Sequence, residues 1–125
     1  SIDLAIEERS LMNHPLSGEI FENLVVSERQ KAYLNRGIEP TLVFYRDDSK
    51  REIDLIDLTE PARPQAFEIK SGATYRDTFA RHLRSVGSEL GIPAKDRAVV
   101  YHGSERYDTE GASVVPVEEF LLRES

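Results

Sequence analysis

Glu52-Ile53-Asp54-Leu55-Ile56-Asp57 and, beyond a proline-bearing loop, Gln65-Ala66-Phe67-Glu68-Ile69-Lys70-Ser71-Gly72 are the stretches that decide how this chain is read. Each is a short run of β formers interleaved with charges, so a strand is predicted from Arg51 to Leu58 and another from Gln65 to Lys70, closed by Ser71-Gly72. Just upstream, Leu42-Val43-Phe44-Tyr45 is a third β-prone run, and the turn signal Asp47-Asp48-Ser49 makes it the hairpin partner of the first. Three strands in succession predict a meander. Side chains alternate across a strand, so Asp54 is expected to share a face with Glu52 and Ile56, and Glu68 to share one with Lys70. If the strands pair with matching faces, Asp54, Glu68 and Lys70 converge.

Helical signals flank this meander. Residues 2–12 have weak helical character, ended by Asn13-His14-Pro15 because a residue before proline is pushed out of the α region. A main helix follows, with Ser17 as its cap. Its apolar positions Ile20, Phe21, Leu24, Val25 and Ala32 recur at helical spacing, and Gly37 stops it at a left-handed position. After the third strand, Thr74-x-x-Asp77 resembles a capping box. It opens a helix carried by Phe79, Leu83, Val86 and Leu90 that stops near Gly91-Ile92-Pro93. Arg97 to Tyr101 is then a strand reached through a helix, and Ala112 to Val117 a shorter one before a last helix, Glu118 to Arg123. The order is α, βββ, α, β, β, α, which predicts an α/β fold with a mixed central sheet flanked by helices. At 125 residues one domain is expected, spanning 17–125 behind a helical lead-in at 1–16.

Composition narrows the chemistry. The chain has no cysteine, which removes disulfide frameworks, thiolate zinc sites and cysteine nucleophiles together and fits a reducing, cytoplasmic compartment. No stretch approaches the roughly 20 apolar residues needed to cross a bilayer, so a soluble protein without a membrane partner is expected. Ser1-Ile2-Asp3 does not read as a signal peptide, and the chain is expected to be a piece of a longer polypeptide. Net charge is −7, whereas proteins that bind nucleic acid by neutralising phosphates are usually basic. The charge is uneven: residues 1–30 carry 2 basic and 6 acidic groups, 107–125 carry 1 and 5, and 71–106 carry 6 and 4. His14, His82 and His102 show no zinc-ligand spacing, and neither Gly-x-Ser-x-Gly nor a P-loop occurs.

Two carboxylates from adjacent strands supply hard oxygen ligands for Mg²⁺, and a lysine two residues beyond the second can hold a water or a developing oxyanion. The pattern Asp54-x13-Glu68-x-Lys70, with a helical Glu22 upstream, resembles the PD-(D/E)XK nuclease signature, and the element order agrees with that superfamily's αβββαβ core. A closer resemblance is to the C-terminal domain of unknown function found behind the AAA-type ATPase module in many bacterial and archaeal proteins. It runs through Pro15 to Val25, Phe44-Tyr45-Arg46-Asp47, Glu52 to Ile56 and Glu68 to Gly72, and fades after about Leu90.

The resemblance implies that Asp54 and Glu68 bind Mg²⁺ or Mn²⁺, with the backbone carbonyl of Ile69 as a further ligand. It gives catalytic roles to Lys70, which positions the attacking water, and to Glu22, which reaches the site directly or through a water on the metal. It further implies DNA or RNA as substrate and an N-terminal ATPase module of the same polypeptide as partner, with oligomeric state left open. The usual proline before the first acid is replaced by Ile53.

Bland readings stand beside these. Acids alternating with apolar residues also describe a half-exposed strand selected for solubility, and Glu-x-Lys is common on solvated strands. Glu28 falls on the apolar face of the first long helix, either as a stem packed below a salt bridge or as a second helical acid near the metal. Arg76, Arg81 and Arg84 fit phosphate contacts or a solvated helix face equally. The functional alternative is a nuclease-fold module that does not cleave and serves as a docking or regulatory appendage of the ATPase.

Overall fold

In the computed structural model, which describes residues 17–123, the backbone bends first around Gly37. The preceding helix α1, Ser17–Asn35, ends in a Schellman motif: Gly37 sits at φ 75° and the Ile38 amide donates to the Tyr33 carbonyl at 3.0 Å. The expected lead-in at 1–16 lies outside the described residues. Strands β1, Leu42–Arg46, β2, Glu52–Asp57, and β3, Gln65–Lys70, follow as the anticipated antiparallel meander. Asp47 organises the first hairpin, its Oδ1 accepting from the Ser49 and Arg51 amides at 3.0 Å each.

A 3₁₀ turn, Asp77–Ala80, leads into α2, Arg81–Glu89, and a second one, Ala94–Asp96, into β4, Arg97–Tyr101. The hairpin β5, Tyr107–Thr109, and β6, Ala112–Pro116, precedes α3, Val117–Arg123. The sheet order is β1-β2-β3-β4-β6-β5, with β3, β4 and β6 parallel and the other pairings antiparallel. Central β4 reads Arg-Ala-Val-Val-Tyr and is buried along nearly its whole length, as expected of a parallel strand covered on both faces. On one face Phe21 and Val25 of α1 and Phe120 of α3 pack on Leu55, Phe67, Ile69 and Val100. On the other, Leu83 and Val86 of α2 pack on Ile53, Ile56, Ala66 and Val99. The result is three layers, helix, sheet, helix. Among the described residues no helix is long and apolar enough to cross a membrane.

Several local expectations are corrected. Thr74 caps nothing: the turn that precedes α2 starts from extended Arg76 without a side-chain cap, and the Asp77 carboxylate pairs with Arg84 at 2.6 Å instead. Leu90 is 47% exposed because α2 has ended before it, and Ala80 and Gly87 fill the buried row around Leu83 and Val86. The last strand stops at Pro116, and Val117 begins the helix. Strand β5 was not anticipated at all: three residues with one aromatic carry too little pattern to stand out, and only pairing with β6 makes them a strand. In α1 the buried row is Phe21, Val25 and Arg29. Glu28 is displaced to the half-buried flank, where Lys31 approaches it at 3.5 Å.

Candidate functional site

The acidic residues are brought together by a defect in the sheet. Along β1 and β2, Val43 faces Ile56 while Tyr45 faces Ile53, so Asp54 and Leu55 together oppose Phe44 alone. This is a β-bulge in β2, and it overturns the simple alternation expected there. Ile53 and Ile56 both enter the core beneath α2, whereas Leu55 enters the core beneath α1.

The bulge also opens the next ladder. Backbone pairing of β2 with β3 runs through Asp57 and Gln65, Ile56 and Ala66, and Leu55 and Phe67, and stops there, although β2 extends back to Glu52 and β3 on to Lys70. Side chains take over in the fork. The Asp54 amide donates to Glu68 Oε1 at 3.1 Å, and the Ile69 amide donates to Asp54 Oδ2 at 2.8 Å. Each carboxylate therefore bonds to the other's strand. In an extended strand the N–H and C=O of one residue point to the same edge, so the Ile69 carbonyl faces the fork as well. The second oxygens remain: Glu68 Oε2 lies 4.0 Å from Lys70 Nζ, and Asp54 Oδ1 accepts no hydrogen bond from a described residue.

Lys70 is held with its ammonium 5.1 Å from the centre of the Phe79 ring. Glu22 approaches from α1, and a groove of about 450 Å³ between α1 and β1 joins it to Asp54 and to the 73% exposed Phe44. The electrostatics follow from burial. Glu68, only 7% exposed, has its pKa pushed up to about 8, first by loss of solvent and then by the Asp54 charge. Glu22 is pushed up to about 7, again by burial first and Asp54 second, with Lys70 opposing. Burial also raises Asp54, against the Ile69 amide and Lys70. All three acids near the one lysine therefore hold their protons more tightly than ordinary carboxyls.

Asp54, Glu68, Ile69, Lys70 and Glu22 are therefore gathered at one place. Glu28 is not among them. Of the arginines, Arg84 is committed to Asp77 and the Glu110 carbonyl, while Arg76 and Arg81 are exposed. His82 Nδ1 accepts from the Glu52 amide at 3.4 Å, His102 stacks on Phe21 at 5.5 Å, and His14 lies outside the described residues. No three His, Asp or Glu side chains among the described residues form a ready cation cage. The fork offers two carboxylates and a carbonyl, a hard-oxygen set that fits Mg²⁺, which binds through one or two carboxylates and keeps several waters.

Sequence reasoning missed the buried ion pair that braces α1 against this region. Arg29 and Asp57, 1% and 2% exposed, meet at 2.8 Å, and the same carboxylate accepts from Tyr33 at 2.6 Å. Arg29 also donates to Gln65 Oε1 at 3.0 Å and lies against the Phe67 and Phe120 rings. Its spacing of four from Val25 and eight from Phe21 was the available signal.

Fold and site together define a mixed α/β domain, a six-stranded sheet between helices, with an acid-acid-lysine fork between its second and third strands. The family model described as Domain of unknown function (DUF4143) matches residues 17–120, and the chain belongs to that family. No curated protein and no solved structure matches it.

Proposed function

We propose that this domain is a metal-dependent phosphodiester hydrolase of the PD-(D/E)XK nuclease type, acting on DNA or RNA in the cytoplasm as the C-terminal part of a AAA-type ATPase. The observation that carries this reading is the fork itself, where two strands stop pairing and Asp54 and Glu68 replace their ladder. A solvated strand selected for solubility has no reason to bury an acid at 7% exposure beside another.

Asp54, Glu68 and the Ile69 carbonyl would hold Mg²⁺ or Mn²⁺. When bound, the ion supplies Lewis-acid polarisation of the scissile phosphate and a more acidic water. Backbone amides fix one oxygen of each carboxylate, so the ligands are oriented before substrate arrives. Lys70, steadied over Phe79, donates to the attacking water or to a non-bridging phosphate oxygen. Glu22, pushed up to about 7 in the metal-free site, would be held ionised by a nearby cation and so suited to take a proton from that water.

Millimolar Mg²⁺ or Mn²⁺ is expected to raise the melting temperature, because an ion bound by the folded state alone stabilises it by mass action. Asp54→Asn removes that rise. The same metals support hydrolysis of DNA or RNA oligonucleotides, and Lys70→Ala abolishes hydrolysis while keeping the melting shift. No shift with Asp54 and Glu68 intact overturns the nuclease reading. A second reading, a non-cleaving module that docks on or regulates the ATPase, is favoured by the net charge of −7 and by Val43 and Phe44, exposed on edge strand β1 at 41% and 73%. Metal binding without cleavage of any nucleic acid selects it.

A further inference from the structure

The locally positive segment 71–106 gives the acidic fork no cation, and its charge gathers elsewhere. A cavity of about 90 Å³ opens where the parallel strands β3, β4 and β6 begin, lined by Gln65, Ala98 and Ser113 near their N-terminal ends. Glu68 and Lys70 lie toward the other end of β3; from Gln65 to Glu68 is roughly 10 Å along the strand. Phe67 and Phe120 wall the cavity on one side. Arg63 comes to it from the β2–β3 loop, Lys95 from the 3₁₀ turn before β4, and Arg106 from the β4–β5 loop. Arg97 also borders it, but that guanidinium donates to the Ile92 and Gly111 carbonyls at 2.8 and 3.1 Å and is not counted.

Three cations from three separate segments meet two carboxylates. Arg63 Nε binds Asp96 at 3.1 Å, and Arg106 binds Glu119. Lys95 has no carboxylate within 4.0 Å among the described residues. A guanidinium carries five N–H donors, so one carboxylate contact on each arginine leaves further donors. Gln65 gives its carbonyl oxygen to Arg29, which leaves its amide N–H groups as donors beside the same space. The site is rich in donors and positive, in a chain that is negative overall. Asp96 also lines the space and offsets part of this charge, but Arg63, Lys95, Arg97 and Arg106 leave a positive surplus that an anion would neutralise, and the aromatic wall lowers the local dielectric that would otherwise screen it. The space admits several waters or one tetrahedral oxyanion.

We propose that this cavity binds a phosphoryl group through Arg63, Lys95 and Arg106, independently of the metal fork. Two sources share that chemistry, a small phosphorylated molecule and the phosphorylated end of a nucleic-acid strand.

The test is melting of the chain in inorganic phosphate against chloride of equal ionic strength, with EDTA present so that the fork takes no part. Phosphate also stabilises proteins by exclusion from their surface, and the double variant Lys95→Ala/Arg106→Ala controls for that because exclusion acts on both proteins alike. Both side chains are exposed, so the variant keeps its fold in chloride. Wild type is expected to melt higher in phosphate by a margin that the variant loses, with phosphate affinity reduced at least tenfold. A short oligonucleotide with and without a 5′-phosphate separates the sources. Binding that requires both the 5′-phosphate and Lys95/Arg106 assigns the cavity to a strand end; a phosphate response without oligonucleotide binding assigns it to a small ligand. A phosphate response equal in wild type and variant, or none in either, overturns the proposal.

Discussion

Glu68→Gln should make the metal-free protein more stable at alkaline pH and flatten the dependence of its stability on pH. The substitution keeps an oxygen to accept from the Asp54 amide, a bond of 3.1 Å in the native fork, and removes the buried charge. In the folded state Glu68 titrates near 8 rather than at the ordinary 4.5. Below the lower value both states hold the proton and the residue contributes no slope. Between the two values the unfolded chain ionises while the folded one stays protonated, so stability falls as pH rises and the full cost is present above about 8. At about 1.4 kcal/mol for each tenfold change in proton affinity the ceiling is near 5 kcal/mol; relaxation of the fork toward Lys70 brings the expectation to about 2–4 kcal/mol. Glu22 and Asp54, both raised, act in the same direction and leave the variant a residual slope. Urea denaturation in EDTA between about pH 5 and pH 8 reads the difference, each midpoint scaled by its slope. Wild-type stability that is flat or rises across this window, or a variant that falls as steeply as wild type, refutes the account of the fork as a place of costly, uncompensated charge.

Asp57→Ala removes one partner of a buried ion pair and is expected to cost about 3–5 kcal/mol in the same denaturation assay, because Arg29 remains buried at 1% exposure. Burial alone would raise the Asp57 pKa, but hydrogen bonds from Thr59, Tyr33 and Arg29 hold it below the ordinary carboxylate range, so its contribution is lost only in acid, as pH falls through the depressed value. Gly103→Ala drives a Cβ into the buried Tyr101 ring and should destabilise by about 1–3 kcal/mol; a neutral change would mean that the Tyr101 ring moves freely. Gly37→Ala forces a side chain onto φ 75° at the end of α1 and should lower the urea midpoint by the equivalent of about 1 kcal/mol, whereas Gly18→Ala, inside the same helix with nothing within 4 Å, should be neutral or slightly stabilising.

What connects these perturbations to function is the opposition between the site and the fold. The fork would be more stable with its acids neutralised, yet it keeps them where a cation could complete the set. The Arg29–Asp57 pair, in contrast, joins two opposite buried charges at 2.8 Å and braces α1, the helix that carries Glu22. Stabilising substitutions are therefore expected at Glu68 and destabilising ones at Asp57, although both are buried acids on neighbouring strands.

The amino-acid sequence by itself marks the first three strands, their meander, the crossover to Arg97–Tyr101 and the candidate set Glu22, Asp54, Glu68 and Lys70. The elements rest on local quantities, β-forming runs, the Asp47 turn and the glycine at Gly37; Asp54, Glu68 and Lys70 follow from alternation along two β-prone runs, and Glu22 from the resemblance to the nuclease signature. Tertiary structure alone decided the rest. Whether Asp54 lies with Ile56 or apart from it depends on a bulge created by β1, and a bulge is a property of two paired strands rather than of one sequence. Strand β5 exists because β6 pairs with it, and Arg29 is buried where Glu28 is not because Asp57 and Gln65 arrive from distant segments to meet it. The gathering of Arg63, Lys95 and Arg106 on one cavity follows the same rule. Periodicity records which face of an element turns inward, but the charges and hydrogen bonds it meets there come from segments brought close only by folding.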